Sequence, residues 1–166
     1  MKQAFVALGS NLSNPVQQVQ NALTAISHIP STRLVKQSSL YQTVPIDCPQ
    51  SSVQVVPDFI NAVAEIETTL TPFELLSALH TIENQAGRER PYQNAPRNLD
   101  CDLLLYEDVT QSSSQLTLPH PRMHTRGFVL LPLFEIAPQL SLPNHGKIAQ
   151  LITPNLAEGV HKIENN

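Results

Sequence analysis

Tryptophan is missing from this chain of 166 residues, glycine occurs only 5 times and cysteine only twice. Two cysteines close one disulfide at most, and the spacing of Cys48 and Cys101 matches no zinc motif, so neither a disulfide framework nor a structural zinc is expected. Reduced thiols in a cytoplasmic protein are the plain reading. The scarce glycines form no G-x-x-x-x-G-K-[ST] loop and no G-x-G-x-x-G turn, and a serine nucleophile elbow is absent. Any nucleotide must then be held by arginine, metal and loops. Positive charge is also short: 10 Lys and Arg face 14 Asp and Glu, and aromatic residues make up 5%. This excludes the basic face and stacking rings of a general nucleic-acid partner. No stretch approaches the ~20 apolar residues of a membrane span. The apolar run at Ala4–Leu8 is too short for a signal peptide, so a cytoplasmic protein with no membrane partner is expected.

What remains fits one domain, at roughly 150 residues per domain. A single domain over 1–166 and a monomer are therefore expected. The apolar share is 41%, and a chain of this size buries about 70% of the surface its unfolded form exposes. The 14 prolines make most turns proline turns. The arginines are unevenly placed: Arg88, Arg90, Arg97, Arg122 and Arg126 all fall between 88 and 126, with only Arg33 elsewhere. Arginine binds phosphate and carboxylate through two parallel hydrogen bonds. The cluster reads equally as a small-anion site or as surface ion pairs with Glu89, Glu107 and Asp108.

The apolar run Ala4–Leu8 reads as a buried strand. Asn14-Pro15 opens a helix, with Asn14 as its cap, and Val16, Val19, Leu23 and Ile26 share one face. Leu34–Tyr41 and Phe59–Thr69 read as strands, although Ala62 and Ala64 weaken the second. Thr71-Pro72-Phe73-Glu74 is a capping box that opens a helix carrying Leu75, Leu76, Leu79 and Ile82. Leu99–Tyr106 is the strongest strand. Gln111–Ser114 reads as a solvent loop, and Leu116–Leu118 as a short strand. Arg126–Ile136 is a helix in which Pro132 must sit in the first turn or make a kink. A turn at Pro143–Gly146 and a short helix near Ile148–Ile152 follow. The order predicts an α+β fold of ferredoxin-like βαββαβ type, an antiparallel sheet with helices on one face, plus C-terminal extra elements.

The sharpest chemical feature is Asp100-Cys101-Asp102. Alternation places Leu99, Cys101, Leu103 and Leu105 on one strand face and both carboxylates on the other, roughly 7 Å apart at Cα. Two like charges side by side repel, and a hard divalent cation such as Mg²⁺ relieves them. D-x-D alone is as common as a solvated strand face. Beside the arginine cluster, the metal–phosphate reading leads. Arg97 is placed to hold a phosphate next to that metal, with Arg88 and Arg90 in the same loop. His120, after Pro119, is a donor to phosphate or a structural hydrogen-bond donor. His80 and Glu83 share a helix face and reach a nucleotide or form a surface pair. Gly9-Ser10-Asn11-Leu12 is an anion nest or, more simply, a strand-to-helix turn.

Three blocks taken together carry a family resemblance. Pro96-Arg97-Asn98-Leu99-Asp100-Cys101-Asp102-Leu103-Leu104-Leu105-Tyr106, Leu118-Pro119-His120-Pro121-Arg122-Met123 with Arg126-Gly127-Phe128, and Pro57-Asp58-Phe59-Ile60-Asn61-Ala62 resemble the 6-hydroxymethyl-7,8-dihydropterin pyrophosphokinases of folate synthesis. The resemblance implies transfer of pyrophosphate from MgATP to the pterin hydroxymethyl group, with release of AMP. It implies two Mg²⁺ on Asp100 and Asp102, and catalytic roles for these two with Arg90 and Arg97. It implies ATP contacts from His80, Glu83, Arg90, Arg97, His120 and Arg126. The pterin would meet Phe59, Phe128 and Asn61, with Thr43, Val44, Pro45 and Ile46 along its other edge. The chain departs from the family pattern at Gln93-Asn94-Ala95-Pro96-Arg97, where a W-G pair is usual, and at Gln115, where some members carry Arg. Competing readings are a family member that binds without turnover and a non-catalytic ferredoxin-like binding module.

Overall fold

The computed structural model describes residues 1–11, 14–43, 59–86, 99–107 and 109–163. Along the chain run β1 (Lys2–Ser10), α1 (Pro15–Ser27), β2 (Thr32–Gln37), β3 (Tyr41–Thr43), β4 (Phe59–Thr68), α2 (Pro72–Ala86) and β5 (Asp100–Tyr106). A small hairpin, β6 (Gln111–Ser112) and β7 (Thr117–Leu118), leads to a 3₁₀ turn at Met123–Thr125 and then α3 (Gly127–Ile136). The chain continues through β8 (Ser141–Leu142), β9 (Gly146–Lys147), α4 (Ile148–Leu151), α5 (Pro154–Ala157) and β10 (Val160–Lys162).

The main sheet is antiparallel throughout, in the order β10-β3-β4-β1-β5, with β2 paired to the other half of β4. Helices cover both faces, not one. Ala4, Val6 and Leu8 of β1 face a core shared with α1 and α2. Phe5 of β1 and Val63 of β4 face a second core shared with α3 and α4. A strand buried on both faces reads as an unbroken apolar run, which is why β1 and β4 lack clean alternation. Ala62 and Ala64, poor strand formers, lie on the α1/α2 face with Ala4, where small side chains admit the helices.

Several local expectations hold. The capping box of α2 is reciprocal: the Thr71 N–H donates to Glu74 Oε1 at 2.9 Å, and the Glu74 N–H to Thr71 Oγ1 at 3.2 Å. Other expectations are corrected. Asn14 precedes α1 in the left-handed region (φ 63°) and makes no side-chain cap; its carbonyl accepts from the Gln18 N–H instead. Asparagine tolerates that backbone better than most residues, which explains its place there. Pro132 is buried inside α3, which removes the first turn as its place and leaves the other of its two expected settings. Gln111–Ser112 is a strand paired to β7 rather than a solvent loop. After the helix expected near Ile148–Ile152 come α5 and then β10, which adds to the sheet beyond β3.

The expected strand Leu34–Tyr41 is two strands with a break at 38–40. Ser38 spans the break. Its N–H donates to the Val63 carbonyl at 2.9 Å, and its Oγ accepts the Val63 N–H at 2.9 Å, so a side chain stands in for a ladder carbonyl. Ser39 turns the other way: its N–H and Oγ donate to Glu135 of α3 at 3.0 and 2.8 Å. Tyr41 Oη donates to the same carboxylate at 2.8 Å, and Lys162 of β10 approaches it at 3.6 Å. Glu135 thus ties α3, β3 and β10 together.

Burial opposes the charge on Glu135, but the Ser39 and Tyr41 hydrogen bonds and Lys162 outweigh it and hold the carboxyl below its usual range. A depressed folded-state value means a contribution present in full above about pH 4.5 and lost as the pH falls through the folded value. We expect Glu135→Gln to cost about 1 kcal/mol at pH 7, since hydrogen bonds to a charged, partly solvated group are worth little more. Urea unfolding at pH 7 and pH 3.5 checks this: the deficit of the variant should shrink at the lower pH.

Candidate active site

The register of β1 brings the site together. Gly9 lies opposite Asn61 of β4 on one side and Asp100 of β5 on the other. Ala7 lies opposite Val63 and Asp102. These positions share the face covered further along by α3, whose N-terminal end supplies Arg126, Phe128 and Val129. Together they enclose a cavity of about 340 Å³ that Thr43 and Phe59 complete. Seven of the residues singled out from sequence therefore meet: Thr43, Phe59, Asn61, Asp100, Asp102, Arg126 and Phe128.

Asn61 is buried, and its Nδ2 donates to Thr43 Oγ1 at 2.8 Å. This leaves Oδ1 over Gly9, where an added Cβ would stand 2.9 Å from it. Gly9 is thus part of the pocket floor, a role the strand-to-turn reading of Gly9-Ser10-Asn11 did not contain. Phe59 keeps 36% of its surface exposed, an open aromatic face at the cavity mouth. The Arg126 guanidinium carbon sits 5.6 Å from the Phe128 ring centroid.

A second cavity, of about 280 Å³, opens on the outer side of β5. His80, Glu83, His120 and Gln115 line it, with the β6–β7 hairpin forming one wall. Asp102 lines both cavities. The Arg122 N–H donates to His120 Nδ1 at 3.2 Å, so a neutral ring carries its proton on Nε2. Burial lowers the His120 imidazole below its ordinary range; Asp102 pulls it back, while Arg126 and Arg122 add to the lowering. Cys101, between the two acids, is pushed upward by burial and then by Glu83, Asp102 and Asp100, so its thiol stays protonated.

The carboxylates follow the strand alternation as expected: Asp100 is exposed, Cys101 buried and Asp102 half-buried. Leu105 does not follow it. Val6 pairs with Leu103 and Phe5 with Leu105, so Leu104 is an extra residue in β5. The bulge turns Leu104 and Leu105 both toward the second core, away from Leu99, Cys101 and Leu103. Arg90, Arg97, Val44, Pro45 and Ile46 lie outside the described residues. Among the described residues no cluster of three or more His, Cys, Asp and Glu side chains is present, and no helix is long and apolar enough to cross a membrane. Ala7, Leu8 and Val129, which also line the first cavity, carried no signal in the sequence because they look like ordinary core.

Comparison with known proteins gives this arrangement its class. The 7,8-dihydro-6-hydroxymethylpterin-pyrophosphokinase family matches residues 5–138. Over 149 residues the chain is 48% identical to the 2-amino-4-hydroxy-6-hydroxymethyldihydropteridine pyrophosphokinase of Haemophilus influenzae, covering 90% of each chain. The protein of the same name from Pseudomonas aeruginosa is 39% identical over 163 residues, with 98% of each chain covered. The Plasmodium falciparum HPPK-DHPS crystal structure with pteroate superimposes with a TM-score of 0.74 at 16% identity. That match covers 98% of this chain and 46% of the other, and it shows the fold alone. The chain is therefore an ATP-dependent diphosphate-transferring enzyme. It belongs to the 7,8-dihydro-6-hydroxymethylpterin-pyrophosphokinase family, whose reaction serves folate biosynthesis.

Gly9→Ala should displace the Asn61 amide, because the new methyl meets Oδ1 inside van der Waals contact. With the pterin contact proposed for Asn61 below, affinity for 6-hydroxymethyl-7,8-dihydropterin, read by calorimetry, should fall by about tenfold, the scale of one buried hydrogen bond. Thermal stability should change much less. Unchanged affinity would mean that Asn61 yields at no cost.

Proposed function

We propose that pyrophosphoryl transfer takes place where the two cavities meet, the first holding the pterin and the second the nucleotide. The observation that supports this is the position of Asp102 on both walls, with Asp100 beside it in the first. In this reading the pterin ring stacks between Phe59 and Phe128, and Asn61 bonds its amide edge. Thr43 and the backbone of Val44, Pro45 and Ile46 meet its other edge. The nucleotide lies along His80 and His120, bordered by Glu83, with Arg90, Arg97 and Arg126 on its phosphates.

The donor set suits Mg²⁺: two hard carboxylates and no third acid, His or Cys converging among the described residues. A Mg²⁺ site is often completed by one or two carboxylates plus substrate phosphates. Asp100 and Asp102 would hold it, and we read the site as one for two ions. Bound there, Mg²⁺ supplies neutralisation of phosphate charge and acidification of the hydroxymethyl group. His120 donates from Nε2 to a phosphate oxygen without adding charge, while Arg126 adds charge. The hydroxymethyl oxygen bonds to the β-phosphorus, the bond from that phosphorus to the α,β-bridging oxygen breaks, AMP leaves, and the hydroxyl proton passes to solvent. Positioning and charge neutralisation carry most of such a transfer.

We also read the strand order as a ferredoxin-like βαββαβ core with C-terminal additions, the whole being one pyrophosphokinase domain. It acts as a monomer in the cytoplasm, with no nucleic-acid or membrane partner.

The test is AMP release from MgATP. It should require the pterin, stop with EDTA, and fall by about a thousandfold or more in Asp100→Ala and Asp102→Ala, as for loss of a principal electrostatic group. Both variants should retain the wild-type melting temperature within a few degrees. Wild-type turnover in both would overturn the metal assignment. Pterin binding without AMP in the unaltered protein would instead make this a member that binds without turnover.

A further inference from the structure

Among the described residues, β5 pairs with β1 alone in the main sheet, so its other side is an edge. An edge strand that carries catalytic carboxylates needs something to hold it, because half of its backbone groups lack ladder partners. Two contacts address this edge. Leu104 accepts the His120 N–H at 2.9 Å, at the bulge. The Cys101 N–H, midway between Asp100 and Asp102, donates to Glu83 Oε2 at 2.8 Å. Glu83 stands on α2, whose Leu75, Leu79 and Ile82 are buried in the first core. Its carboxylate therefore reaches from a firmly packed helix to the Asp100–Cys101 peptide, one of the two peptide groups that separate the acids.

We propose that Glu83 is a positioning residue for the Asp100–Asp102 pair, acting through the Cys101 backbone N–H rather than by holding the nucleotide. This rests on the reading of Asp100 and Asp102 as the metal-holding pair. The strand begins at Asp100, and the residue facing Asp100 across the ladder is Gly9. Leu99 and Cys101 anchor the inner face of the strand in the core. The ladder to β1 holds this stretch from one side. The Glu83 hydrogen bond holds the Asp100–Cys101 peptide from the other, and a negative acceptor makes it strong.

The test compares Glu83→Gln, which keeps an acceptor oxygen but no charge, with Glu83→Ala, which keeps neither. Three readouts are taken on the full chain. The first is exchange of the Cys101 amide proton in the unliganded protein, followed by NMR. The second is the Mg²⁺ concentration for half-maximal AMP release at saturating ATP and pterin. The third is ATP affinity in EDTA, by calorimetry. We expect E83A to speed the exchange and raise the Mg²⁺ requirement by about tenfold each, the scale of one hydrogen bond to a charged group, with E83Q restoring most of both. ATP affinity in EDTA should not fall in either variant. E83Q matching E83A in Mg²⁺ requirement, or weaker ATP binding in EDTA for both, would overturn the proposal and return Glu83 to the nucleotide. If E83A does not fold, Glu83→Asp, one methylene short, takes its place with the same expectations. The exchange readout needs no metal, so it separates failure of this inference from failure of the Asp100–Asp102 assignment.

Discussion

The register of β1 against its two neighbours is the constraint on which the site depends. Gly9 faces Asn61 and Asp100, and Ala7 faces Asp102, all on one side of the sheet. A slip of one residue in either ladder would carry the facing strand's side chains to the opposite face. On a slip of β5, Asp100 and Asp102 would enter the core that Cys101 and Leu103 fill, at the desolvation cost of two buried like charges. Cys101 and Leu103 would lose that core in exchange. The apolar pattern of β5 and its acids therefore enforce the same register, and the geometry of the cavity follows from hydrophobic packing.

Covering the sheet on both faces does the rest. The α1/α2 side carries the larger core, and the other side is covered only in part, by α3 and α4. Where α3 begins, at Gly127, the cover ends and the cavity opens. Gly127 itself is pinned: an added Cβ would lie 1.6 Å from the Leu156 carbonyl oxygen of α5. At the far end of the same helix Glu135 is held by Ser39 and Tyr41. Both ends of α3 are thus fixed to other elements, and Arg126 and Phe128 inherit that fixity. The pocket walls come from β1, β3, β4, β5 and the start of α3, elements far apart in the chain, and that is why no local stretch of sequence outlines it.

Much of the fold was legible. Apolar runs marked β1, β4 and β5, three-and-four spacing marked α1, and Thr71 with Glu74 marked the start of α2. Less legible were features whose cause is tertiary. The break between β2 and β3 depends on Ser38 finding Val63 and Ser39 finding Glu135, partners 25 and 96 residues away. The bulge at Leu104 hides inside a run of three leucines, where any register looks equally apolar. The second helical layer was missed because α3 is apolar almost all round, a pattern that names a buried helix but not the face it covers.

By itself the sequence determined the chemistry: two acids one residue apart on a strand, an arginine cluster, an aromatic–asparagine pair, and three blocks that resemble one enzyme family. These are properties of residue type and spacing, which short-range geometry carries. Only the tertiary structure decided that Asp102 borders two cavities, that Gly9 makes room for Asn61, and that Glu83 meets the backbone between the acids. Those facts arise from strand pairing and helix packing over separations of 18 residues and more, and no local propensity encodes which distant groups will meet.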